Sequence, residues 1–153
     1  MDCLEKVSVM MKITLPSVNL PKYFWALFAV YSVASFTHFV HNAEFIAFYP
    51  NMPLWITRET VYLAWMGIGC LGLAGLLMWR YQMFALGMLL MGAYGALGID
   101  GLAHYTLALC GEHTLATNAT IWFEVITGFV LLMVAALWLG RWVSEHFSLR
   151  SKT

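Results

Sequence analysis

Charge is scarce in this sequence. Only 10% of its 153 residues are Asp, Glu, Lys or Arg, against roughly 25% in a soluble domain. Eight bases and eight acids cancel to a net charge of zero. The basic patch needed to bind nucleic acid is therefore missing, and nucleic acid is excluded as a partner. Cysteine is also sparse. Cys3, Cys70 and Cys110 form no CxxC pair. They fall in a polar start, mid-segment and near the opposite end of the apolar segments, so three free thiols are expected. The four prolines, Pro16, Pro21, Pro50 and Pro53, all lie before or between the long apolar stretches, which can therefore run as unbroken helices. The first 20 residues hold only a short, broken apolar run and do not read as a cleaved leader. There is no His-Glu-x-x-His motif. The many glycines sit inside apolar stretches, where they serve close helix packing and not a phosphate loop.

What the sequence has in abundance is hydrophobic residues, at 61%. About 20 mainly apolar residues span a hydrocarbon core of about 30 Å. Four segments qualify, at about 23–47, 59–79, 83–109 and 120–140. The expectation is an all-α integral membrane protein: an antiparallel four-transmembrane-helix bundle with short loops. Residues 1–22 form a short N-terminal arm at the cytoplasmic interface, 23–140 the membrane domain and 141–153 a cytoplasmic tail. Lys6, Lys12, Lys22, Arg80, Arg141, Arg150 and Lys152 share one side of such a bundle, and Arg58 alone falls on the other. This bias places both termini in the cytoplasm, and the expected location is a bacterial inner (plasma) membrane. Trp55, Trp79, Trp122, Trp138 and Trp142 lie near segment ends, as interfacial anchors do.

The same partition gathers polar groups at the extracytoplasmic end. Measured from Lys22, Arg80 and Arg141 at 1.5 Å per residue, His38, His41, Glu44, Glu59, Asp100, His104 and Glu124 all fall roughly 24–36 Å up. Ionisable residues within membrane spans are costly and usually functional. At helical spacing, His38 and His41 take adjacent faces, and Asp100 and His104 share one. Asn42 lies one turn from His38 and could orient its imidazole. Three imidazoles and a carboxylate suit a transition metal, so His38, His41, Asp100 and His104 are the candidate ligands for zinc, copper or iron. Glu44 and Glu124 are the carboxylates expected to move protons. His113, in the Cys-Gly-Glu-His loop, reads as an exposed loop residue. Glu59 reads equally well as a first-turn acid paired with Arg58 or with the helix dipole.

Three function classes follow. The first is a membrane-embedded metalloenzyme acting on a lipophilic or small substrate. The second is a metal-free His/Glu acid–base isomerase of a sterol- or terpenoid-like lipid. The third is a non-enzymatic metal-binding or accessory subunit of a larger membrane complex. The lipid bilayer is the partner common to all three, and a homo-oligomer is compatible with each. Transport is disfavoured, because the cytoplasmic halves of the segments carry no ionisable residue to line a path.

Overall fold

The computed structural model describes residues 19–150, with side chains to Phe147. Helix α1 runs Lys22–Glu44 and α2 runs Arg58–Arg80. Helix α3 runs Phe84–Leu97 and passes through a 3₁₀ stretch, Gly98–Ala103, into the short α4, His104–Leu107. Helix α5 runs Leu115–Arg150. Among the described residues, four helical stretches, Lys22–Glu44, Arg58–Arg80, Phe84–Leu107 and Leu115–Phe147, are long and apolar enough to cross a membrane. The last helix thus begins earlier and runs further than the 120–140 expected. The third stretch is not a single α-helix. Most of the expected N-terminal arm, Cys3 included, lies outside the described residues.

Local sequence sets the helix boundaries. Pro21 precedes α1 in an extended conformation. Thr57 caps α2: its hydroxyl accepts from the Thr60 N–H, and the Thr60 hydroxyl accepts from the Thr57 N–H. This reciprocal pair satisfies two otherwise orphan groups at the helix start. Between α2 and α3 only Tyr81-Gln82-Met83 remain, and Gln82 takes a left-handed backbone conformation (φ 63°) to reverse the chain.

The packing follows from small residues. A Cβ on Gly75 would stand 2.7 Å from Met91, one on Gly72 2.8 Å from Tyr94, and one on Gly87 2.8 Å from the Trp79 backbone. Positions rise along α2 as they fall along α3. The α3–α5 contact is as close, with a Gly128 Cβ 2.5 Å from the Gly95 carbonyl. Phe24, Tyr31, Met88, Met91, Tyr94 and Leu131 fill the core between α1, α3 and α5. This core occupies the half nearest the Tyr81–Met83 turn, here the turn end. The opposite half, the loop end, holds most of the polar residues.

The 3₁₀ stretch has a visible cause. The Gly98 N–H bonds to the Gly95 carbonyl, one residue short of α-helical register, while the Tyr94 carbonyl accepts the Tyr31 hydroxyl at 2.7 Å. The Tyr31 ring lies where a Cβ on Gly98 would be, at 2.7 Å, so residue 98 must lack a side chain for α1 to seat there.

Candidate functional site: a buried His–Asn–His–Glu cluster on a lateral cavity

Helix α1 presents His38 and Asn42 from successive turns of one face, both buried. Helix α5 presents Glu124, and the loop end of the third stretch presents Asp100 and His104. His38 Nε2 lies 3.6 Å from Glu124 Oε2, and each of the two residues is 2% exposed. That separation is longer than a direct hydrogen bond. The Asn42 amide nitrogen lies 2.9 Å from His38 Nε2 and 3.3 Å from His104 Nε2. An amide NH2 has two hydrogens and donates one to each ring, so both imidazoles accept at Nε2 and carry their own hydrogen on Nδ1. The two rings stand 5.3 Å apart at 71°. His38 Nδ1 and Asn42 Oδ1 are buried without a hydrogen-bond partner among the described residues.

This cluster lies beside a cavity of about 440 Å³. Asp100, His104, His38, Asn42, Glu124, Thr60 and Thr106 supply its polar lining. Phe39, Met52, Trp55, Val61, Ile68 and Leu97 are among its apolar walls. Among the described residues, no Lys or Arg lines it.

The other residues expected at the site are placed elsewhere. His41 turns to the loop, where its Nδ1 lies 2.8 Å from the Tyr49 hydroxyl. Glu44 binds Arg58 at 2.7 Å and accepts the Tyr62 hydroxyl at 2.7 Å. It joins the ends of α1 and α2, and neither His41 nor Glu44 lines the cavity. Arg58 therefore pairs with Glu44. His113 is not an exposed loop residue. It is 7% exposed, with its ring packed near Tyr49, His104 and Tyr105 and both ring nitrogens unpartnered among the described residues. The loop that carries it folds back because Glu112 accepts from the Leu109 N–H at 2.6 Å and Asn118 donates to the Cys110 carbonyl at 3.0 Å.

Tyr49 is a residue that sequence reasoning missed. It is almost fully buried and stacks near His104. Burial pushes its hydroxyl up to about 12. In sequence, its only signal is a polar tip within the otherwise apolar Phe45-Ile46-Ala47-Phe48-Tyr49 run.

Among the described residues, no three His, Cys, Asp or Glu side chains are grouped so that they could hold a metal ion. Cys70 and Cys110 are free and exposed. No protein-family model, curated protein or solved structure matches the chain.

Proposed function

We propose that this chain is a membrane-embedded acid–base enzyme that moves a proton within a lipophilic substrate, with His38 and Glu124 as the acting pair. The observation that carries this reading is the juxtaposition of a buried imidazole and a buried carboxylate, 3.6 Å apart, on a cavity with otherwise mainly apolar walls. A cavity of about 440 Å³ is in the range of roughly 300–1,000 Å³ typical of small-molecule pockets.

The setting is a bilayer. Leu63, Met66, Leu73, Phe129, Val130 and Leu137 are all exposed along the long helices. Apolar surface on this scale calls for lipid as solvent. The pairing of rising with falling positions supports an antiparallel four-helix bundle. The Lys and Arg bias supports cytoplasmic termini in a plasma membrane, which puts the loop end outside.

The chemistry is a double-bond shift. Glu124, as a carboxylate, takes a proton from an allylic carbon. The carboxyl group then returns this proton to the far end of the double bond, either directly or by passing it to His38 Nε2, 3.6 Å away, whose imidazolium delivers it. Composition and charge are conserved, and no co-reactant is consumed. Asn42 holds both imidazoles in one tautomer, which leaves His38 Nε2 as the ring atom that can take up a proton from Glu124.

The metal-dependent reading, with zinc, copper or iron on His38, His41, Asp100 and His104, draws less support. His41 is engaged with Tyr49, and no three candidate ligands converge.

The test is deuterium incorporation. Protein in liposomes is incubated in D2O with unsaturated sterols and terpenoids, and products are read by mass spectrometry. The wild type is expected to exchange and shift a double bond, and Glu124→Gln to slow this by about 10²-fold or more, as loss of a general base does. A wild-type rate equal to that of Glu124→Gln would sink the proposal. Elemental analysis of the same preparation separates the two readings: stoichiometric zinc, copper or iron lost in His38→Ala and His104→Ala would replace the acid–base reading with the metal one.

A further inference from the structure

Helices α2 and α3 are not equally close along their length. Near the turn end they are glycine-tight: Gly75 faces Met91 and Gly87 faces Trp79. This close contact reaches to Gly72 against Tyr94. One turn further towards the loop end, Ile68 on α2 and Leu97 on α3 line the cavity. Beyond them the cavity walls are Ala64 and Thr60 on α2 and Asp100 and Ala103 on the third stretch, all exposed. The two helices therefore form a V, pinned at the turn and open in the loop-end half. The cavity sits in the opening. From Ile68 to Thr60 it extends roughly 12 Å along the helix axis, at 1.5 Å per residue.

In a bilayer the Ile68 and Ala64 part of that gap faces hydrocarbon, and its Thr60 and Asp100 end reaches the interface. From this geometry we infer that the cavity is entered sideways, from the extracytoplasmic leaflet between α2 and α3, by a lipid whose polar end carries no negative charge. This deepens the proposed function and rests on its reading of the cavity as the substrate site. Asp100 and Glu124 line the cavity, and among the described residues no Lys or Arg does. Arg58, the one base of the sequence between Lys22 and Arg80, is bound to Glu44 outside the lining. A phosphate would meet carboxylates with no compensating cation, whereas a hydroxyl can hydrogen-bond to carboxylate or imidazole without that repulsion. Size agrees, since the cavity is too small for a two-chain phospholipid. Trp55 lines the cavity yet is 74% exposed, which puts its ring at the mouth.

The experiment uses the full chain in phosphatidylcholine liposomes and two photoreactive diazirine probes of the same chain length. One is a long-chain alcohol and the other its monophosphate ester. Labelled peptides are identified by mass spectrometry. The alcohol is expected to label residues 60–68 or 97–107, and the phosphate to do so about tenfold less, a difference of about 1.4 kcal/mol. Ala64→Trp and, separately, Leu97→Trp fill the gap and are expected to cut alcohol labelling about tenfold. Val130→Trp, on the exposed face of α5, is expected to leave it unchanged. Two plugging variants guard against one that fails to fold. Equal labelling by the phosphate, or full labelling in both plugged variants, overturns the inference. Deuterium exchange that persists in the plugged variants removes the lateral route and leaves the acid–base chemistry standing. Labelling that behaves as expected, with no exchange dependent on Glu124, removes the chemistry and leaves the route.

Discussion

Asn42 is the residue on which the candidate site turns, because one amide serves two imidazoles. Asn42→Ala leaves the buried His38 Nε2 and the half-buried His104 Nε2 without that donor. An unsatisfied buried polar group costs about 1–3 kcal/mol, so a clear fall in the detergent melting temperature is expected, along with weaker deuterium exchange. A melting temperature equal to that of the wild type would remove Asn42 from this role. Tyr49 makes a pH prediction with a definite sign. Its hydroxyl is raised from 10.0 to about 12 in the folded chain. The neutral phenol is thus the form favoured by folding, and its contribution is complete below pH 10 and lost as pH rises through 12. Melting curves at pH 9 and pH 11.5 should fall less for Tyr49→Phe than for the wild type. A fall of equal size in both would show that Tyr49 does not titrate in this way. Much of the polar cluster is legible from sequence at this scale, because depth along a helix follows from counting residues. His38, Asp100, His104 and Glu124 share a level in sequence and line one cavity in the structure. Which way a side chain turns is not set by depth. Glu44 is at the same level, but Arg58 and Tyr62 from the next helix draw it away, and that pairing depends on how the loop 45–57 folds.

Two kinds of glycine distinguish the elements. Gly87 lies where a Cβ would meet the backbone of Trp79, and Gly69 has nothing within 4 Å. Gly87→Ala should destabilise the α2–α3 hairpin by about 1–3 kcal/mol, the usual cost of overpacking. Gly69→Ala should leave stability the same or slightly raised, since Ala is the better helix former. Thermal unfolding in detergent reads both, and equal effects would show that the hairpin is not glycine-tight. The sequence marks these glycines as packing residues but does not separate the two kinds. That distinction needs the facing helix. The 3₁₀ stretch was likewise hidden. Nothing in Gly98-Ile99-Asp100-Gly101 breaks an α-helix outright, and the cause is the Tyr31 ring and hydroxyl arriving from α1.

For the whole molecule, the four long helices are legible because length and apolarity suffice to mark them. Orientation in the membrane has a direct test. After replacement of Cys3, Cys70 and Cys110 by serine, Leu54→Cys should react with an impermeant thiol reagent added outside intact cells, and Glu145→Cys should not. Leu54 is fully exposed in the loop before α2, and Glu145 is exposed near the end of α5. The reverse pattern would invert the sides and leave the cluster intact. Position 113 would be a poor reporter, because the folded loop buries it.

The six residues Gly98–Ala103 give the third stretch a further property. A 3₁₀ turn advances 120° and about 2.0 Å per residue, and an α turn 100° and about 1.5 Å. Rewinding those six residues as α-helix would rotate everything beyond them by roughly 120° and retract it by roughly 3 Å. His104 is the first residue beyond. Its place in the cavity is therefore tied to the tighter winding, and the stretch works as a screw thread whose pitch sets whether the second imidazole faces the cavity or leaves it.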